Sequence, residues 1–139
     1  TCSNAQTIEG STIKIVESVI VAKGTQKELH EKVLNWFGKS FKNAKEVITS
    51  DTESAIVGRY INDFLYGKVQ INWNHSIEVD LKDEKVRIRI YLVDNDPVTF
   101  FYKKGEPREM YRSGFEKLIK DAENLEENLK KALNEAADW

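Results

Sequence analysis

The sequence holds one cysteine, Cys2, so it can form neither an intramolecular disulfide nor a cysteine-cluster metal site. That count leaves the compartment open, since secreted proteins do not require disulfides. The seven glycines stand singly, which removes a glycine-rich phosphate loop and a nucleophile elbow. The two prolines, Pro97 and Pro107, both precede the last helix, and no Pro/Gly-rich linker divides the chain. No apolar run approaches the roughly 18–20 residues of a membrane helix. An excess of one charge is missing too: 21 Lys and Arg against 23 Asp and Glu give a net −2, so no positive field gathers nucleic acid or anionic lipid. With only His30 and His75 as histidines, the signal for a nucleophile–base triad is absent, and a non-enzyme is expected.

What is present reads as one domain of 139 residues. Residues 13–22 (IKIVESVIVA) are rich in β-branched residues and predict a strand, although Glu17 breaks the alternation and leaves its inward face open. After Gly24, Thr25 and Glu28 form a capping box. The helix that follows carries its apolar stripe at Leu29, Val33, Trp36, Phe37, Phe41 and Ala44. Two short strands are predicted at about 46–50 and 55–61 around the polar turn Asp51–Ser54. From Val69 to Leu81 apolar and polar residues alternate with only His75 among the odd positions not aliphatic or aromatic, which predicts one buried and one wet face. If Asp83 and Glu84 turn, Leu81 meets Val86, Val79 meets Ile88 and Ile77 meets Ile90, while Asp80 faces Arg87 and Glu78 faces Arg89. Hydrophobic and charge patterns select the same register.

Val98–Tyr102 reads as a loop over one end of the core, and the last helix is expected from near 108 or from 114. A second capping box, Ser113 with Glu116, with a bend at Ser113–Gly114, would reconcile the two starts. Its stripe runs through Tyr111, Phe115, Leu118, Ala122, Leu125, Leu129, Ala132 and Ala136. Ile119 and Leu133 widen it beyond a coiled-coil seam. A helix from Ser113 to Asp138 spans about 38 Å, and a strand from Val69 to Leu81 about 43 Å. The sheet can therefore cover the helix within one chain, and a monomer is expected. The fold expected is α+β: a single antiparallel sheet of four or five strands with two helices on one face. Residues 1–12 are expected to be disordered or extended, and 13–139 to form the domain.

Few residues suggest chemistry. His75 and Glu78 fall on opposite faces of a strand, which rules out joint metal ligation and leaves His75 a core or rim residue. His30, on the flank of the first stripe, is expected to be partly exposed and without a role. Of the acidic pairs, Glu78/Asp80 has arginine partners, Asp83/Glu84 makes a turn, and Asp94-Asn95-Asp96 resembles a calcium loop but lacks its glycine and distal glutamate. No catalytic residue, metal ligand or cofactor is expected, and no binding residue can be named. Trp36, Phe37, Phe41, Trp73, Phe100, Phe101 and Tyr102 either line an apolar pocket between sheet and helices or fill it.

The segment ELHEKVLNWFGKSFKNAKEVITSDTESAIVGRY, through Leu29, Trp36, Phe37, Phe41, Lys45, Val47, Ile48, Asp51 and the Ile56–Gly58 step, resembles an uncharacterised bacterial domain-of-unknown-function family. That family has a TATA-box-binding-protein-like (TBP-like) fold and is frequent in exported proteins of gut bacteria. The resemblance implies the fold and no catalytic residues. It does not imply DNA binding, because Gln70, Asn72, Asn74, Ser76, Glu78 and Asp80 place amides and negative charge on the open sheet face. Ser3-Asn4-Ala5 before Gln6 has the small residues of an export-signal cleavage point, and Cys2 suggests lipid attachment as another route to the cell envelope. The expectation is an exported binding or interaction domain, periplasmic or secreted, for an unknown protein or small-molecule ligand. The alternative is a helix-grip carrier holding an apolar ligand beneath the last helix.

Overall fold

The structure is a computed structural model that describes residues 6–134. Six strands form one antiparallel sheet: β1 (Thr7–Glu9), β2 (Thr12–Val21), β3 (Ile48–Asp51), β4 (Ala55–Tyr66), β5 (Val69–Lys82) and β6 (Lys85–Val93). They lie in the order β1-β2-β6-β5-β4-β3. Helices α1 (Gln26–Ser40) and α4 (Arg112–Asn134) cover one face. Short pieces fill the corners: α2 (Ala44–Val47), α3 (Pro97–Phe101), the ribbon β7 (Tyr102–Lys103) with β8 (Glu106–Pro107), and a 3-10 turn at Glu109–Tyr111. Among the described residues no helix is long and apolar enough to cross a membrane. The sequence features at Cys2, Ser3-Asn4-Ala5, Ala136 and Asp138 lie outside the described residues.

The expected register of β5 and β6 is the one observed, from Leu81 opposite Val86 to Ile77 opposite Ile90, with Asp80 opposite Arg87 and Glu78 opposite Arg89. The sheet has more strands than the four or five expected, because Thr7–Glu9 adds an edge strand beyond β2. The break in β2 also has a physical cause. Its pairing with β6 shifts between Lys14 and Val16, a β-bulge that inserts Ile15 as an extra residue. Ile13 and Ile15 before and within it, and Val16 and Ile20 after it, are all buried, while Glu17, Val19 and Val21 turn outward. A bulge moves the strand one residue out of phase, so a single period-2 reading could not fit both halves.

α1 begins as the capping box requires: Glu28 N–H donates to Thr25 Oγ1 (3.2 Å) and Thr25 N–H to Glu28 Oε1 (2.9 Å). Gln26 N–H also donates to Asp83 Oδ1 (2.7 Å), which sets a carboxylate from the β5–β6 turn against the positive helix end. Leu29, Val33, Trp36 and Phe37 are buried. α4 instead starts at Arg112, directly after the 3-10 turn, so Ser113 lies inside its first turn rather than capping it. Gly114 serves close approach rather than a bend: a Cβ there would lie 2.1 Å from Phe64 Cδ2 of β4. The expected loop at Val98–Tyr102 is mostly α3, whose start is capped by Asp96 through Thr99 N–H (3.3 Å). The expected strand at 46–50 begins two residues later, since Glu46 and Val47 belong to α2, and β4 runs five residues past 61.

The aromatic residues pack on one another. Trp73 lies 4.8 Å from Phe100 and 5.0 Å from Phe101 between ring centroids, and Phe101 stacks on Phe115 at 4.8 Å. Tyr111 closes the cluster by stacking on Phe100 at 4.3 Å. These contacts occupy the space between sheet and α4 in which a carrier would hold its ligand.

Candidate functional site

With the helix side packed, the sheet's other face and its β4 margin remain in solvent. The centre of that face is a lattice of opposite charges. Arg87 Nη2 contacts Asp80 Oδ2 at 2.8 Å, and Arg89 Nη2 contacts Asp80 at 2.9 Å and Glu78 at 3.2 Å. Lys14 bridges Glu9 (3.1 Å) and Glu17 (2.5 Å) nearby; the Glu17 and Glu9 carboxylates raise the Lys14 ammonium pKa, and the bond from Lys14 lowers that of Glu17. Surface pairs of this kind contribute about 0–1 kcal/mol each. Their main effect is to neutralise the arginines locally, so the face presents no one-signed field.

At β4 the face changes character. Ala55, Val57, Arg59, Ile61, Asp63 and Leu65 alternate onto the open side, while Ile56, Gly58, Tyr60, Asn62 and Phe64 turn to the helices. Ile61 is 66% exposed and Leu65 71%, two large aliphatic side chains on the same face of the strand, about 13 Å apart along it with Asp63 between them. The edge of β4 is open as well. β3 pairs only with Ile56, Val57 and Gly58, so from Arg59 onward no described strand lies beyond it. The odd-numbered residues direct their main-chain groups to that edge: Ala55 O accepts Thr52 N–H (2.8 Å) and Val57 O accepts the Thr49 hydroxyl (3.2 Å). Farther along, Asp63 O accepts Lys117 Nζ of α4 (2.5 Å). Between those two points the Arg59 C=O and both main-chain groups of Ile61 lie beyond the last β3 pair, Ile48 with Gly58, and no described strand runs beside them.

A cleft lies on each side of this edge. The helix-side cleft, about 280 Å³, is lined by Phe41, Tyr60, Ile61, Asn62, Asp121 and Leu125. Asp121 projects from α4 and is held by Asn62 Nδ2 (2.8 Å) and Lys117 Nζ (3.1 Å). The open-face cleft, about 240 Å³, is lined by Arg59, Tyr60, Ile61, Asn74 and Asp94. Asp94 Oδ2 accepts Arg59 Nη1 (3.2 Å) and Asn74 Nδ2 (2.9 Å). Asp94, Asn95 and Asp96 all have positive φ, and Asp96 spends its carboxylate on Thr99 N–H and its hydroxyl. The two acids of this apparent calcium loop thus diverge to separate partners, and among the described residues no group of three or more His, Cys, Asp or Glu is placed to hold a metal.

Behind Tyr60 lies His75, fully buried and stacked on the Tyr60 ring at 4.7 Å. Its Nδ1–H donates to Trp73 O (2.9 Å), which fixes the tautomer and leaves Nε2 as a buried acceptor without a partner among the described residues. Burial pushes the imidazole down to about 4, against smaller upward effects of the Trp73 carbonyl and Asp121. Burial likewise raises the Tyr60 phenol. His30, expected to be idle, makes a 2.6 Å contact with Asp51 Oδ1 in a wider cleft at the start of α1. The neighbouring Thr52 hydroxyl is bound into its own turn, donating to Ala55 O (3.1 Å).

None of Tyr60, Asn62, Asp63 or Asp121 stands out in the sequence as a site residue. The one local signal is Asn62, a polar residue in the helix-facing series between Tyr60 and Phe64. A polar group at an inward strand position needs a partner, and here the partner comes from α4.

No family model and no curated protein matches the chain. In structure the chain is similar to a TBP-like protein from Parabacteroides distasonis, with a TM-score of 0.64 at 11% identity over 91% of this chain and 96% of that one. It is equally similar to a DUF4468 family protein from Bacteroides ovatus, with a TM-score of 0.64 at 12% identity over 96% and 93%. Nearly the whole of each chain takes part, so the fold anticipated from the Leu29–Gly58 resemblance is met by a six-stranded sheet under two helices, and the chain is a TBP-like α+β domain.

Proposed function

We propose that the chain is a non-catalytic interaction domain that works as a monomer in the cell envelope or outside the cell and meets its partner along β4. The observation that carries this reading is the unpaired stretch of the β4 edge, on the same strand that exposes Ile61 and Leu65. An unpaired strand edge is a ready template for pairing with another chain, and Ile61 on that stretch adds apolar area for a partner to cover. Support also comes from the core, where ring contacts occupy the volume a carried ligand would need. The envelope location rests on Ser3-Asn4-Ala5 and Cys2 of the sequence.

A photo-crosslinking side chain placed at Ile61 in producing cells tests the reading, with the exposed Glu127 of α4 as the control position. A discrete adduct from position 61, absent from 127 and enriched in the envelope or extracellular fraction, is expected. Native mass spectrometry on the purified chain supplies the opposing arm. A co-purifying apolar molecule would establish the carrier instead, and turnover of a substrate without any adduct would establish an enzyme.

A further inference from the structure

We propose that the free edge of β4, from Arg59 to Asp63, takes up an extended peptide segment of the partner as an added strand, with a Lys or Arg side chain seated beside Asp121. This deepens the interaction-domain reading and rests on it. An added strand satisfies outward main-chain groups and sends its side chains alternately to the two faces of the sheet. The edge matches both demands. Past the last β3 pair, the Arg59 C=O and the Ile61 N–H and C=O lie between the carbonyls taken by Thr49 and Lys117. Clefts open on both faces at the same residues, Tyr60 and Ile61, so successive side chains of the added strand each have a recess.

The chemistry of the helix-side recess selects a cation on an apolar stem. Phe41, Tyr60 and Leu125 form its walls, and Asp121 stands at its rim. Lys117 stands between two carboxylates, Asp121 at 3.1 Å on the helix side and Asp63 at 4.0 Å across the edge, so one ammonium is set against two acids there. On the other face, Ile61 favours an aliphatic residue.

A second copy of this chain is a poorer occupant. In a two-fold antiparallel pairing centred on Asp63, the two Asp63 carboxylates face each other, and centring on Asn62 opposes Ile61 to Asp63. Centring on Ile61 pairs Arg59 with Asp63 well, but lays Phe64 and Leu65 of the second copy over Gly58 and Val57, where β3 already sits.

The test selects a displayed library of short unstructured peptides on the full chain and resynthesises the best binder in two forms, N-methylated at one or the other set of alternate amides. Methylation in one set is expected to weaken binding by about tenfold per hydrogen bond removed, while the other set is tolerated. Amide exchange at Ile61 slows by on the order of tenfold or more in the complex. Asp121→Asn weakens a Lys-bearing binder up to about fivefold and its neutral analogue not at all. Ile61→Pro removes an edge N–H while sparing the ladder to β5 and abolishes binding; should that variant misfold, the methylated peptides carry the test with the native chain. Binders that protect other amides, or a library without binders while position 61 still crosslinks, overturn the strand proposal and leave the interaction reading standing. Protection of the same amides by the chain alone, rising with its concentration, assigns the edge to a second copy and overturns it as well. Loss of both crosslink and binder defeats both.

Discussion

Acidification should weaken this fold through His75. The imidazole is fully buried, donates through Nδ1 to the Trp73 carbonyl, stacks on Tyr60 and has no partner at Nε2 among the described residues. From α4, Asp121 favours its protonation and Lys117 opposes it, but burial outweighs both and depresses the pKa from 6.5 to about 4. In the unfolded chain the same group titrates near 6.5. Between those values the unfolded state binds a proton that the folded state refuses. Stability from this source is therefore complete above about pH 6.5, falls as the pH is lowered, and is fully lost below about 4. At about 1.4 kcal/mol per pH unit, the interval corresponds to a loss of about 3 kcal/mol. Urea unfolding of the native chain and of His75→Phe between pH 7.5 and 3.5 measures it, because carboxylate titrations common to both proteins cancel in the difference. Phenylalanine keeps a ring against Tyr60 and removes the titrating nitrogen. The difference in unfolding free energy should shift by about 3 kcal/mol in favour of His75→Phe at the acid end. A difference that stays flat across the range would refute the reasoning, as would an NMR titration placing the folded His75 near 6.5.

Two further outcomes test packing and capping. Gly114→Ala forces a methyl into the Phe64 ring, since the Cβ position lies 2.1 Å from Cδ2, and should destabilise by about 1–3 kcal/mol in chemical denaturation. Combining it with Phe64→Leu should recover part of that loss, and strict additivity would argue against the contact. Thr25→Ala removes the acceptor for Glu28 N–H and should cost about 1 kcal/mol by the same assay.

What was legible in the sequence depended on locality. The β5–β6 register could be read because both partners sit within one hairpin, and Asp80 with Arg87 and Glu78 with Arg89 reinforce the apolar pairs. The α1 start could be read because Thr25 and Glu28 satisfy each other three residues apart. Glu17 misled because the inserted Ile15 shifts the phase within a single strand, and nothing nearby marks the bulge. The extent of β4 was hidden by Asn62 and Asp63, whose polarity reads as loop until Asp121 and Lys117 of α4 are brought beside them. The candidate site is less legible still. An open edge is a statement about which strand stops short, here β3 at Ile48, and that is fixed by pairing in the folded sheet rather than by any residue of β4.

The strand order also divides the folding reaction into a local and a non-local part. β3, β4, β5 and β6 follow one another as a meander, each pairing with its successor across a short turn. β2 joins only by meeting β6, through pairs that run from Val21 with Lys85 to Ile13 with Leu92. Closing so long a stretch of chain costs entropy before any contact forms, so the meander with α1 is the natural nucleus and β2 docks afterwards. Substitutions such as Ile20→Val should accordingly speed unfolding and leave the folding rate almost unchanged, whereas Val79→Ala should slow folding. Until β2 docks, β6 is a second open edge beside that of β4, and it is lined with the apolar residues Val86, Ile88, Ile90 and Leu92, so docking of β2 is the step that removes the larger aggregation hazard.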